Sequence, residues 1–156
     1  SLLVVISVQG VSERTIAASL LVLTFMVFGI GGILFTGRTM LNWPIENRIS
    51  HMRWERSFVI LPTILTVLGL VLLADLLGAA GDAFLAQLGA ATYLFGAALV
   101  VVAETTFLHN EEWNSTQITA YVGLAFVGQA AVGAALLQTG LVTAWVGWMT
   151  ILWNLG

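Results

Sequence analysis

The sequence predicts an all-α, polytopic transmembrane helical bundle of about five spans, a fragment whose last helix is truncated. Three observations carry that expectation. Hydrophobic residues fill 59% of the 156 positions and charged residues only 8%, against roughly 25% charged in soluble domains, whose surface must be wet. The mean hydropathy is +0.99, so a non-aqueous solvent has to cover most of the chain. The apolar runs are also continuous. Strands of a membrane barrel would alternate apolar and polar residues over about 10 positions. Glycine is commoner in membrane helices than in soluble ones, and 16 glycines agree with this class. Residues 1–156 read as a single transmembrane domain.

The first span, 15–36, contains no charged residue, and about 20 apolar residues suffice to cross a bilayer. Glu13 and Arg14 precede it, Arg38 follows it, and Ser12 is placed to cap it. The second span covers 58–77, with Pro62 in its first turns and Asp75 near its far end. The third covers 83–108, the fourth 118–137, and the fifth 141–156. At 1.5 Å per residue the run 141–155 would reach only about 22 Å, short of the roughly 30 Å hydrocarbon core. The last helix is therefore expected to continue further. Ser1 opens the chain, and residues 1–10 are apolar without a basic n-region. That pattern suits a processed or truncated start better than a signal peptide.

Connections are expected at 37–57 (long and charged), 78–82 (a tight Gly-Ala turn), 109–117 (short and acidic) and 138–140. The first of these carries Arg38, Arg48, Arg53 and Arg56, while the opposite side has only Arg14. Short loops rich in basic residues stay cytoplasmic. The expected topology therefore has the N-terminus outside and the 37–57 loop cytoplasmic. Trp43, Trp54 and Trp113 fall at that boundary, where interfacial aromatic anchors belong. Trp145 and Trp148 share one face of the fifth span and are read as facing lipid.

Small residues let helix backbones approach in a membrane, where lipid tails supply little drive for association. Gly89, Gly96 and Ala103 recur every seven residues in the third span. Gly123, Ala130, Ala131, Ala134 and Ala135 make the fourth span smooth. These two helices are expected to form a close antiparallel hairpin, with Gly29 and Gly32 offering a further contact on the first.

Polar groups inside the spans are few. Gln129 lies near the middle of the fourth span, Tyr93 at mid-depth in the third, and Glu104 about one turn below the surface. Together they define a polar pocket. At the arginine-rich end, Arg48, Arg53 and Arg56 face Glu104, Glu111 and Glu112, which suggests an ion-pair lid between hairpins. His51, His109, Glu111 and Glu112 are the candidates for a metal site, since imidazole and carboxylate ligate zinc and a catalytic site needs three ligands. Their spacing matches no helical metal motif, so no metal is assigned. Both histidines fall in expected loops, which disfavours a haem held inside the bundle.

Several function classes drop out. Zero cysteines exclude disulfides, iron–sulfur centres and a cysteine nucleophile. Ser19 has no His or Lys nearby in sequence, and the aspartates Asp75 and Asp82 lie near one loop. Asn114-Ser115-Thr116 matches a glycosylation sequon but falls on the expected cytoplasmic side. No P-loop, dinucleotide-binding pattern or ion filter occurs, so no cofactor is expected. A net charge of −3 argues against a nucleic-acid partner. Membrane lipids, a membrane-protein partner or a second copy remain as partners.

Leu23-Thr24-Phe25 through Phe35-Thr36-Gly37-Arg38, Arg53-Trp54-Glu55-Arg56, and Gly147-Trp148 through Trp153-Asn154-Leu155-Gly156 resemble small uncharacterised bacterial multi-span membrane proteins of unknown function. The resemblance covers nearly the whole chain and implies a bacterial inner-membrane location. It implies no catalytic residue. The expected function is a structural or binding membrane module rather than an enzyme. One alternative is a small-solute transporter using Gln129, Tyr93 and Glu104. The other is a membrane enzyme with a cytoplasmic-side His/Glu site.

Overall fold

The computed structural model describes residues 12–155 and is helical throughout. The apolar opening 1–10 and Gly156 lie outside the described residues. Five helices follow one another: α1 (Glu13–Thr39), α2 (Arg48–Ala79), α3 (Ala83–Asn110), α4 (Ser115–Thr139) and α5 (Ala144–Leu155). Short connections make each antiparallel to the last. The first four are long and apolar enough to cross a membrane. With 12 residues, α5 reaches only about 18 Å at 1.5 Å per residue. The expected fifth span thus begins three residues late: 141–142 form a bend, and the Val146 N–H donates to the Thr143 carbonyl at 2.9 Å as α5 opens.

The expected loop 37–57 is mostly helix. Only 40–47 connects α1 to α2, and the 32 residues of α2 extend about 48 Å at 1.5 Å per residue. Its first turns carry the charges that suggested a loop. Arg, Met and Glu are good helix formers, and Asn47 caps the start by accepting from the Ser50 N–H at 3.0 Å. Side-chain caps recur at the other starts. Ser12 accepts from the Thr15 N–H at 3.2 Å, Asp82 from Leu85 at 3.0 Å, and Asn114 from Gln117 at 3.1 Å. Each satisfies one of the donors a helix leaves free.

Helices pack mainly on their sequence neighbours, with a smaller contact between α2 and α4. The tightest joint is between α3 and α4. A Cβ on Gly89 would lie 2.6 Å from the Gly128 carbonyl oxygen, and one on Gly128 would lie 2.7 Å from that of Gly89. Gly96 and Ala103 are buried along the same α3 stripe. Gly123 is not part of this joint; nothing lies within 4 Å of its Cβ position. The α4–α5 joint is similar, since a Cβ on Gly147 would lie 2.9 Å from the Gly133 carbonyl oxygen.

On α1 the expected contacts at Gly29 and Gly32 are absent, and both positions have open space. The contact is made by Gly31 instead. A Cβ there would lie 2.9 Å from the Phe58 Cβ and 3.2 Å from the Phe58 carbonyl oxygen. Pro62 explains the location. It lacks the N–H that would bond the Phe58 carbonyl four residues earlier, and a glycine of the neighbouring helix covers that freed oxygen. Phe25 (84% exposed), Phe84 and Phe95 point outward, as a lipid-facing exterior requires.

Candidate functional site

Two buried ion pairs tie the first three helices together at the arginine-rich end. Arg38, in the last turn of α1, grips Glu55 of α2 with both ends of its fork. Its Nε donates to Oε2 and its Nη2 to Oε1, each at 2.8 Å. Arg56 Nη1 donates to both oxygens of Glu104 on α3 at 3.2 Å. Glu55 and Glu104 are only 4% and 3% exposed. Successive helical residues are about 100° apart around the axis, at 3.6 per turn. Glu55 can therefore face α1 while Arg56 faces α3.

Aromatic rings enclose the second pair. The Arg56 guanidinium carbon sits 4.6 Å from the ring centres of both Phe107 and Trp113. Those two rings meet edge to face at 5.9 Å. Cation–π contacts of this kind contribute roughly 0.5–2 kcal/mol, more as water is excluded. The Arg56 Nε is buried with no hydrogen-bond partner among the described residues. Arg56 is thus held by one carboxylate and two rings.

The other members of the expected lid stand apart from these pairs. Among the described residues, the salt bridges involve Arg38, His51, Glu55, Arg56 and Glu104. Glu112 accepts from the Asn110 side chain at 3.0 Å. Arg48, Arg53 and Glu111 line a groove between the start of α2 and the end of α3, together with His109. The sequence reading missed Arg38 and Glu55 as a pair, because both fell inside a segment taken for a loop. Their 17-residue separation closes only once Arg48–Ser57 is helical.

Both histidines are helical rather than in loops, His51 in α2 and His109 in α3. His51 Nε2 lies 3.2 Å from the Leu34 carbonyl oxygen. A carbonyl only accepts, so that nitrogen carries the proton in this contact. It also lies 4.0 Å from Glu55, on the side of α2 facing α1. His109 and Glu111 sit on the other side, facing the groove. No group of three or more His, Asp or Glu among the described residues could hold a metal ion.

Gln129, Tyr93 and Glu104 do not share one cavity. Tyr93 is buried and meets Tyr121 edge to face at 6.4 Å, while Glu104 is occupied by Arg56. Gln129 instead lines a cavity of about 550 Å³ near the opposite end of the bundle. Its walls come from α1 and α5 and its floor from α2 and α4. Arg14, exposed in the first turn of α1, lines it with the apolar Leu70, Leu73 and Val132 and the hydroxyls of Thr24, Thr66 and Thr150. Those hydroxyls donate to backbone carbonyls of their own helices, at 3.0 Å for Thr24, 2.8 Å for Thr66 and 2.8 Å for Thr150. They therefore present lone pairs rather than donors to the cavity. Sequence periodicity could not find this space, because it exists only where α1 fails to close against α4 and α5.

Comparison with protein-family models, curated proteins and solved structures returns no match for this chain.

Proposed function

We propose that the protein is a non-catalytic membrane binding module that takes an anionic, single-chain amphiphile into the cleft between α1 and α4–α5. The observation that carries this reading is the combination at that cavity. A volume of about 550 Å³ falls within the ~300–1,000 Å³ of small-molecule sites, which are mostly apolar with a few placed polar groups. Arg14, exposed among the lining residues, supplies the one cation an anionic head would need. Leu70, Leu73, Val132 and Leu136 suit a hydrocarbon tail, and the Gln129 amide can donate to a polar group along it.

The arrangement favours binding over catalysis. The two deepest carboxylates, Glu55 and Glu104, are each engaged by an arginine. Neither lines the amphiphile cavity. A transporter would be expected to link Gln129 with Glu104, and the Gln129 cavity does not reach that residue.

In the same reading the arginine-rich end faces the cytoplasm of a bacterial cell and the N-terminus lies outside. Arg38 and Arg56 are neutralised by buried acids, but orientation follows basic residues rather than net charge. The four-to-one bias therefore still counts.

Mass spectrometry of organic extracts from the purified full chain tests the binding proposal. Wild-type protein should carry a single-chain anionic amphiphile. Ala18→Phe, at an exposed position on the cleft wall, and Arg14→Gln should each lower its amount. Extracts empty of amphiphile, or occupancy unchanged in both variants, would sink the proposal.

A further inference from the structure

The groove at the arginine-rich end has a composition that the buried ion pairs leave unused. Its cavity measures about 480 Å³ and is bounded by the first turns of α2 and the last turns of α3. Arg48, Arg53, His109 and Glu111 supply its polar rim, and Met52 and Phe107 supply an apolar floor. Arg48, Arg53 and Glu111 take part in no ion pair among the described residues. Charges of both signs therefore stand side by side without neutralising each other.

Glu111 carries a second signal. Its φ is +62°, in the left-handed region that ordinary L residues enter at a cost and that glycine occupies readily. The position closes α3, its N–H donating to the Phe107 carbonyl at 2.9 Å, a role usually filled by glycine. A glutamate at this glycine-favouring position holds local strain, and such strain concentrates at functional sites. The depth agrees. Exposed Trp54 (63%) and Trp113 (51%) lie at the same end, and tryptophan marks the headgroup level.

We propose that this groove binds the phosphoethanolamine headgroup of an aminophospholipid. The lipid phosphate sits on Arg48 and Arg53, and the primary ammonium donates to Glu111. Arginine recognises phosphate through paired N–H donors, and basic pockets beside transmembrane helices hold lipid headgroups. His109 offers a further ring N–H to the phosphate. Met52 and Phe107 meet the glycerol and the first acyl carbons. A choline headgroup carries no N–H for Glu111, and a glycerol headgroup carries no cation. The ammonium is therefore what selects this lipid. The groove shares no lining residue with the amphiphile cleft, so the two proposals stand or fall separately.

Native mass spectrometry of the full chain in detergent, with equimolar dioleoyl phosphatidylethanolamine, phosphatidylcholine and phosphatidylglycerol, tests this. Phosphatidylethanolamine should be retained about tenfold over the other two, a ratio equivalent to about 1.4 kcal/mol. Arg48→Gln with Arg53→Gln should abolish retention of all three. Glu111→Gly should bring the ethanolamine-to-choline ratio close to one. It should do so without lowering the melting temperature, because glycine relieves the positive φ. Equal retention by the wild type, or an unchanged ratio in Glu111→Gly, would overturn the proposal. Displacement of the lipid by soluble phosphoethanolamine at equal concentration would also overturn it, by assigning the groove to a free metabolite.

Discussion

Arg56 Nη1 lies 3.2 Å from both carboxylate oxygens of Glu104, across 48 residues of chain, and the rings of Phe107 and Trp113 flank its guanidinium. This contact, not a broad lid of six charges, holds α2 to α3 at the arginine-rich end. The distinction matters because a desolvated pair and a wet cluster respond differently to substitution.

Replacing Glu104 with Gln should destabilise the bundle by about 3–5 kcal/mol, the usual consequence of leaving one buried charge unpaired. Removing both charges, as in Arg56→Met with Glu104→Leu, should restore much of the loss. Unfolding of the full chain by graded denaturing detergent would measure both. A Glu104→Gln protein as stable as wild type would contradict a structural pair.

Arg38→Lys should also weaken the fold, although charge is conserved. Lysine is a point charge and cannot reproduce the two parallel bonds to Glu55. The loss of one hydrogen bond to a charged group is expected to cost about 1.5–3 kcal/mol. Arg38→Gln should be worse than Arg38→Lys in the same unfolding assay.

Valine at Gly89 or Gly128 should pry α3 from α4, because its Cβ would sit less than 3 Å from a facing backbone oxygen. Overpacking of this kind costs about 1–3 kcal/mol. Valine at Gly29 or Gly123, where nothing lies within 4 Å, should fall within about 0.5 kcal/mol of wild type, as surface changes do. Equal melting temperatures across the four variants would refute the interface.

Single cysteines in the cysteine-free chain can test the topology. Glu46→Cys and Asn114→Cys, both exposed, should react with an impermeant thiol reagent from one side of sealed vesicles. Ala80→Cys, exposed in the connection between α2 and α3, should react from the other. Labelling of all three from one side would contradict four crossings by α1–α4.

The fold class, the helix order and the Ser12 cap were legible in the sequence alone. Continuous apolar runs leave no other way to satisfy backbone groups in lipid, and Ser12 is a local signal acting over three residues, whereas the caps at Asn47, Asp82 and Asn114 emerged only in the structure. The close approach of α3 and α4 was legible for the same reason, since small residues at Gly89 and Gly96 recur at helical spacing.

Where the sequence misled, the deciding interaction was not local. Charge at 48–57 suggested a loop, yet the segment is helical, with the buried Glu55 and half-buried Arg56 side chains paired to neighbouring helices. Gly31 rather than Gly29 or Gly32 touches α2, because Pro62 frees a carbonyl on a different helix. Tyr93, Gln129 and Glu104 face three different environments, Tyr93 against Tyr121, Gln129 in the α1–α4–α5 cleft and Glu104 against Arg56. The cleft beside Gln129 stays open because α1 packs chiefly on α2, and the groove at the arginine-rich end lies between α2 and α3. Sequence periodicity defines the faces of a helix. Only packing between helices separated along the chain decides which faces meet, which charges lose their water, and which spaces stay open.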